Sequence, residues 1–344
     1  MSKIAAIDLF CGAGGLTHGL IKSKVNVVAG FDIEEVCRYA YEKNNIGARF
    51  FNKDVALLTG EEVLALFPKG HIKLLAGCAP CQPFSTYSQG RVAKEDKKWP
   101  LLYAFSRLIR EVNPELVTME NVPDVTKHEV YHDFVLDLES LGYHVWAQRV
   151  YCPDYGMPQV RKRHVLLASK LGPITLMKPN RKPEEYKTVQ QTIGSLPAIE
   201  AGQRHSVDSL HVSAGLSEKN LERIKQSKPG GTWMDWPEGL RAPCHRKKSG
   251  RTYSGVYARM KWDEPSPTMT TQCFGYGNGR FGHPEQNRAI SLREAAMLQT
   301  FPKSYKFVPP SGKIHMTSVG KMIGNAVPVT LGKVIGKSLN QHIR

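Results

Sequence analysis

A chain of 344 residues with 41% hydrophobic content has material for two ordinary cores; it has no window of membrane-spanning length, and its start, MSKIAAIDLF, reads as a strand rather than a secretory signal. Seven scattered cysteines, an odd number, fit reduced thiols in a cytoplasmic protein better than a disulfide framework. Forty-seven Lys and Arg against 31 Asp and Glu give a net charge of +16, which points beyond simple solubilisation to a polyanionic partner, most simply nucleic acid.

Ile4 to Phe10 is an apolar run broken only by Asp8, followed by Cys11-Gly12-Ala13-Gly14-Gly15 and a helical pattern from Leu16 to Ile21. Strand, glycine turn and helix in that order let the backbone approach a ligand at a helix N-terminus. Dinucleotide enzymes, methyltransferases and plain tight turns share this pattern. Val25 to Phe31 reads as a second strand running into Asp32-Ile33-Glu34, with a helical stretch from Glu35 to Asn44. An acidic residue about 20 positions past a glycine turn is placed to accept hydrogen bonds from ribose hydroxyls. Arg49 to Phe51 is a third strand, and Asp54 beyond it either accepts from an adenine amino group or caps a turn.

Ile72 to Leu75 is a buried strand leading into Ala76-Gly77-Cys78-Ala79-Pro80-Cys81-Gln82-Pro83-Phe84-Ser85. Cys81 falls in a loop past a strand end, where open α/β sheets put their chemistry, and Pro80 and Pro83 restrict the backbone around it. Cys78-x-x-Cys81 has no second pair and no histidine nearer in sequence than His71 and His128, so no metal site is expected. Gln89 to Trp99 is basic and aperiodic and reads as a long lid or binding loop. Leu101 to Glu111 has helical spacing, and Leu116 to Met119 is a strand ending in Glu120-Asn121-Val122-Pro123. A carboxylate at a buried strand end is costly unless it is used or paired.

His128 to Ser140 reads as a helix, and Tyr143 to Val150 and His164 to Ala168 as strands. Between the two strands, Gln159, Arg161 and Arg163 alternate, which predicts a row of donors on one face of a strand. From Leu171 onward proline, glycine, serine and basic residues replace the strand and helix alternation, and a domain boundary is expected near residue 175. Arg241, Arg246, Lys247, Lys248 and Arg251 lie among Trp233, Trp236, Tyr253, Tyr257 and Trp262. Basic residues with interleaved aromatics suit phosphate contact and base stacking; a solvated loop over a small apolar cluster would have the same composition. Arg288 to Phe301 reads as a helix capped by Ser291 and Glu294, and a final helix follows the loop Ile323-Gly324-Asn325-Ala326-Val327-Pro328.

Together these pieces resemble the cytosine-5 DNA methyltransferase family, of the bacterial restriction-modification type, over nearly the whole chain and in the family's order. The resemblance rests on Asp8-Leu9-Phe10-Cys11-Gly12-Ala13-Gly14-Gly15, Pro80-Cys81-Gln82-Pro83-Phe84-Ser85, Glu120-Asn121-Val122, Gln159-Val160-Arg161-Lys162-Arg163, Ser291 to Gln299, and Gly324-Asn325-Ala326-Val327. Cys78 departs from the family, which commonly carries glycine there; it reads as a bystander to Cys81.

The resemblance implies an α/β fold: a Rossmann-like S-adenosylmethionine-dependent methyltransferase sheet with a smaller, irregular target-recognition domain. Residues 1–175 would form the catalytic and cofactor-binding domain, 176–302 the target-recognition domain, 303–317 a hinge and 318–344 a C-terminal helix returning to the first domain. Carried over residue by residue, the cofactor contacts are Phe10, Gly12, Gly14, Asp32, Ile33, Asp54, Val55, Pro80, Leu101 and Asn325, with S-adenosylhomocysteine as product. Cys81, Glu120, Arg161 and Arg163 would be catalytic. Gln82, Ser85, Arg91, Gln159, Arg241, Arg246, Lys247, Lys248 and Arg251 would meet duplex DNA. A monomer with no obligate protein partner and no membrane association is expected, acting in the bacterial cytoplasm.

The chemistry explains that residue set. Carbon 5 of cytosine is a poor nucleophile until a thiolate, here from Cys81, adds to carbon 6. Glu120 would meet the charge developing at ring nitrogen 3, and Arg161 and Arg163 that at the exocyclic oxygen. The base must leave the stack to be reached, with the loop from Cys81 to about Trp99 closing over it. A nicotinamide oxidoreductase would share the glycine turn and Asp32 but not Cys81, Glu120 and the arginine row together. A tRNA cytosine-5 methyltransferase shares every catalytic motif; roughly 125 residues between the arginine row and Arg288, ample for a DNA-reading domain, and Gly275-Tyr276 after Cys273-Phe274, favour DNA. An inactive DNA-binding module would usually have lost the cysteine.

Overall fold

The structure is a computed structural model that describes residues 3–80, 100–247 and 254–344. Two compact units divide it: the first comprises Met1–Tyr155, Lys162–Asn180 and Ala326–Arg344, the second Gly156–Arg161 and Arg181–Asn325. The chain leaves the first unit at Asn180 rather than 175, and the stretches read as a hinge and as the start of the returning segment, 303–325, group with the second unit.

The first unit is a seven-stranded sheet: β1 (Ile4–Leu9), β2 (Asn26–Asp32), β3 (Arg49–Asn52), β4 (Ile72–Gly77), β5 (Leu116–Asn121), β6 (His144–Tyr151) and β8 (Lys162–Ser169), in the order β3-β2-β1-β4-β5-β8-β6. The first five strands run parallel, and β8 is antiparallel to both β5 and β6. Parallel neighbours need crossover connections, here α1 (Gly15–Lys22), α2 (Arg38–Asn44), α3 (Gly60–Leu64) and α4 (Pro100–Val112), while α5 (Glu129–Ser140) links β5 to β6. A sheet covered by helices needs apolar strands, and β1 and β5 are buried along their whole length. Leu102, Phe105, Leu108, Ile109 and Val112 recur at helical spacing on α4 and join that core, where Phe105 packs on Phe134 of α5.

Strand order reverses around β1: β2 and β3 lie to one side, β4 and β5 to the other. Open sheets bind ligands at the carboxyl ends of strands beside such a reversal. Register aligns those ends, with Leu9 opposite both Phe31 and Gly77, Gly77 opposite Met119, and Asp32 opposite Asn52.

The last helix, α10 (Val329–His342), completes the first unit by crossing α1. A Cβ on Gly19 would overlap the Val329 carbonyl oxygen and the Gly332 backbone, and one on Gly332 would come 2.9 Å from the Leu16 carbonyl oxygen. The two backbones therefore touch without side chains between them. Ser169 with His342 (2.7 Å) and Met177 N–H donating to Ser338 Oγ (2.9 Å) tie the same helix to the end of β8 and beyond.

The second unit has little regular structure: β7 (Gln159–Val160), α6 (Val189–Ile193), α7 (Glu218–Gln226), β9 (Ser266–Pro267), α8 (Leu292–Leu298) and α9 (Met316–Asn325). Irregular backbone leaves carbonyls that must find donors when buried. Buried arginines supply them. Arg259 donates to the carbonyls of Ile224, Ser227, His283 and Gln286 and to Asn287 Oδ1, with no carboxylate paired to it among the described residues. Arg288 grips Glu294 with two bonds (2.7 and 2.8 Å). Burial pushes the Glu294 carboxyl up, but Arg288 more than offsets it and holds the group below its ordinary range. Ser291 and Glu294 form the capping box expected of α8, though the helix spans 292–298 only.

In an ordinary helix interior Gly→Ala stabilises by about 0.5–1 kcal/mol. Gly19→Ala is expected to do the opposite, lowering the melting temperature by several degrees as α10 is pushed off α1; a calorimetric scan of the variant against the parent checks the sign.

Candidate functional site

The glycine turn closes as its sequence requires. Phe10 (φ 58°), Gly12 (φ 50°) and Gly14 (φ 86°) all take left-handed backbone, and Gly14 caps α1. Among the described residues nothing lies within 4 Å of where a Cβ on Gly12 would stand, so the backbone there is open to a ligand. Asp32 holds the turn from β2: its Oδ2 accepts from Gly12 N–H and its Oδ1 from Glu34 N–H, both at 2.8 Å. A carboxylate retains acceptor capacity beyond two such bonds. Ile33, next to it, is 67% exposed, an apolar surface beside an acidic one. That pairing suits the flat base and polar sugar of a nucleoside.

Asp54 does what its turn position allowed, accepting from Ala56 N–H (2.9 Å) as a cap. Val55 is buried in the core of the first unit, Pro80 and Leu101 are half-buried, and Asn325, exposed, belongs to the second unit.

Beneath the turn, Asp8 is buried and accepts from Thr17 Oγ1 at 2.6 Å, and Thr17 also meets the Tyr41 hydroxyl at 3.1 Å. Burial, only partly opposed by Thr17, pushes the Asp8 carboxyl up to about 7. Burial likewise raises the thiol of Cys11, in the turn, well above its ordinary value, and pushes that of Cys273 up to about 12. Neither is a competing nucleophile at neutral pH.

The second cluster gathers at the ends of β4, β5 and β8. Glu120 and Asn121 lie inside β5, not after it as their sequence suggested, because β8 extends the pairing to Asn121 opposite His164. Glu120 is 3% exposed in its side chain. Its Oε2 accepts from the Cys78 thiol at 3.0 Å, and Arg163 Nε stands 2.8 Å from its Oε1. That second contact is an ion pair without an aligned hydrogen bond: among the described residues Oε1 accepts none. Cys78 is therefore no bystander, since it holds one oxygen of the buried carboxylate. Asn121 Nδ2 donates to the Ala79 carbonyl (3.2 Å), tying down the backbone two residues before Cys81. His164 Nε2 meets the Tyr131 hydroxyl at 2.7 Å, and burial lowers the imidazole to about 4, so it is neutral here.

The predicted donor row does not form. Gln159 and Val160 form a short strand paired to Ser266 and Pro267; Arg161 interrupts it, and Arg163 belongs to a different strand, β8, in the other unit. Gln159, expected at DNA, is 1% exposed, and its amide joins Leu298, Gln299 and Met269 within the second unit. Arg161, expected at the base, is buried with its guanidinium on Met269 O (2.9 Å) and Gln159 Oε1 (3.3 Å). Both brace the second unit. Of the aromatics weighed as a stacking platform, Trp233, Trp236 and Tyr257 belong to a small core with Tyr276; Trp233 stacks on His245, and Trp236 Nε1 donates to Ser227. Arg223 covers the rings of Trp236 and Tyr257. Arg246 and Lys247 are exposed, and Arg241 donates to the Met234 carbonyl. Cys81, Gln82, Ser85, Arg91, Lys248 and Arg251, with Tyr253, lie outside the described residues.

Asn121 and Cys78 are the partners of this cluster that sequence reasoning missed. Their only signal was adjacency to Glu120 and Cys81.

Comparison with known proteins follows this geometry. Residues 4–341 match the family model described as C-5 cytosine-specific DNA methylase. The chain is 54% identical over 342 residues to the Type II methylase M.HgiDII of Herpetosiphon aurantiacus, covering 98% of this chain and 96% of the relative. It is 31% identical to the Type II methyltransferase M1.HphI of Haemophilus parahaemolyticus, over 98% of this chain and 87% of that one. Among solved structures, a prophage-encoded DNA modification methyltransferase candidate from Escherichia coli superposes with a TM-score of 0.77 at 21% identity, covering 99% of each chain.

Asp8 makes a pH prediction. The unfolded chain releases this proton near 3.8 and the native one near 7, so the native state binds more protons between those values and loses stability as pH rises through that window. Asp8→Asn keeps an acceptor for Thr17 without the charge. Its melting temperature relative to the parent is expected to climb from pH 5 to pH 8; parallel melting curves across that range would refute the assignment.

Proposed function

The chain belongs to the C-5 cytosine-specific DNA methylase family, and from that premise we propose how its residues divide the work. It is a DNA (cytosine-5)-methyltransferase using S-adenosylmethionine. The carrying observation for the division is the Glu120 carboxylate, buried at the end of β5 between Arg163 and Cys78. The open backbone at Gly12, the bound carboxylate of Asp32 and exposed Ile33 fit the nucleoside part of the cofactor. When bound, that cofactor supplies a methyl group activated on a sulfonium.

Cys81, as thiolate, adds to carbon 6 of a cytosine taken out of the helix, because neither carbon 5 nor carbon 6 is reachable in a stacked pair. Electron density then moves onto ring nitrogen 3 and the exocyclic oxygen. Glu120, which must take up a proton from solvent as the base enters, delivers it from its acid form to that nitrogen, and Arg163 faces the oxygen, in surroundings where water does not screen them. Carbon 5, now enamine-like, would then take the methyl group that the bound sulfonium supplies, the carbon–sulfur bond to the cofactor breaking to leave the thioether S-adenosylhomocysteine. A base then takes the carbon-5 proton, the bond between sulfur and carbon 6 breaks, and Cys81 returns to thiolate as Glu120 recovers its proton. Arg161 and Gln159 act on the second unit's packing rather than on the base.

The second unit reads the duplex, with Arg246 and Lys247 among its phosphate contacts; its surplus of positive charge supports that assignment. Similarity to proteins named Type II methylases supports a place as the modification half of a restriction-modification system. One chain carries every motif, so we assign its action to a monomer.

Plasmid recovered from cells expressing the protein is expected to show, on bisulfite sequencing, methylated cytosines confined to one short duplex motif. Cys81→Ser should reduce methyl transfer at least a thousandfold, on the order expected for loss of a covalent nucleophile, with duplex binding retained; a serine variant of near-parental rate would sink the covalent scheme. Duplex carrying 5-fluorocytosine at the target should trap a protein–DNA adduct, since fluorine at carbon 5 cannot be removed as a proton, and gel electrophoresis reads it directly. Duplex affinity should fall steeply between about 50 and 200 mM salt, measured by fluorescence anisotropy.

A further inference from the structure

Cys78 stands three residues before Cys81, and its thiol reaches Glu120 Oε2 at 3.0 Å. We infer that Cys78 is a positioning residue for Glu120: by occupying Oε2 it holds the carboxyl group in one orientation, so that Oε1, the oxygen beside Arg163, is the one left to meet the target base. The inference rests on the assignment of Glu120 to ring nitrogen 3.

The last torsion of a glutamate is broad and roughly two-fold, so the carboxyl plane needs outside restraint. Arg163 alone does not provide it. Its Nε stands 2.8 Å from Oε1 as an ion pair that leaves this oxygen without an aligned donor among the described residues, while Arg163 Nη1 donates to the Lys162 carbonyl instead. A bidentate guanidinium would have fixed the plane; here the second restraint comes from the other oxygen, through Cys78. The thiol itself is held from the same strands, because Asn121, next to Glu120 on β5, binds the carbonyl of Ala79, next to Cys78. A thiol is a weak donor, so it orients the carboxyl group without competing strongly for the proton that Glu120 must exchange with the base. No bond to Cys78 forms or breaks in the reaction. Glycine at this position would leave Oε2 without that partner.

Single-turnover methyl transfer to saturating target duplex tests this, with Cys78→Ala, Cys78→Ser and Glu120→Gln measured beside the parent and each preparation normalised to its S-adenosylmethionine binding stoichiometry. Cys78→Ala is expected to slow transfer about tenfold, the scale of one lost hydrogen bond at a buried group, with dissociation constants for cofactor and duplex unchanged. Cys78→Ser, which keeps a hydroxyl donor, should recover most of that loss. Transfer by Cys78→Ala at the parental rate, with Glu120→Gln inactive, overturns the positioning role and leaves Glu120 in place. Equal impairment of Cys78→Ser and Cys78→Ala also overturns it, since the loss would then follow the sulfur's packing and not its proton. Parental transfer by Glu120→Gln removes the underlying reading. If Cys78→Ala does not bind cofactor, Cys78→Gly takes its place in the same comparison.

Discussion

A carboxylate survives at the buried end of a strand only where other donors replace the water it has lost, and Glu120 lies under that constraint. Its two oxygens are met from opposite directions, by Cys78 after β4 and by Arg163 at the start of β8. Both partners depend on sheet order. Cys78 is beside Glu120 because β4 and β5 are parallel neighbours whose carboxyl ends align, and Arg163 is there because β8 runs the other way and so begins where β5 ends. Shifting β8 by one residue would turn Arg163 to the other face of the sheet. The site is thus set by register, and the long buried strands hold that register.

The two units solve the problem of backbone satisfaction differently. In the first, strands and helices bond their own peptide groups, and polar side chains are released for the site. In the second, few peptide groups are paired by regular structure, and Arg259, Arg288, Arg161 and Gln159 are drawn inside to serve stray carbonyls and one another. Part of the chain's basic excess is therefore internal. A buried guanidinium has five donors in a fixed fork, well matched to converging carbonyls. Arg259 does this with no paired carboxylate among the described residues, so its charge is stabilised by carbonyl dipoles alone. Counting every arginine of this segment as a DNA contact would overstate the binding surface.

Much of the first unit was legible in the sequence because its signals are local. An apolar run, a glycine turn and an amphipathic helix each declare themselves within a dozen residues, and the strand-helix alternation implies a parallel sheet. The row Gln159, Arg161, Arg163 misled for the opposite reason. Alternation shows a shared face only if the strand continues, and here it breaks at Arg161. For Trp233 and Trp236 the sequence left a stacking platform and a small apolar cluster both open, because composition does not distinguish them; burial decides for the cluster, and it depends on residues such as Tyr276 and Ala289.

The sequence alone determined the strands of the first unit and most of its helices, though not α3, together with the glycine turn with Asp32 beside it and the family motifs that mark Cys81 and Glu120, since each rests on residues adjacent in the chain. Tertiary structure decided what those residues do to one another. That Cys78 grips Glu120, that Arg163 and not Arg161 pairs with it, and that Asn121 anchors the loop before Cys81 all depend on contacts between strands some 40 residues apart. Such contacts follow from how the sheet pairs, and pairing is fixed by the burial of whole strand faces, which no short motif records.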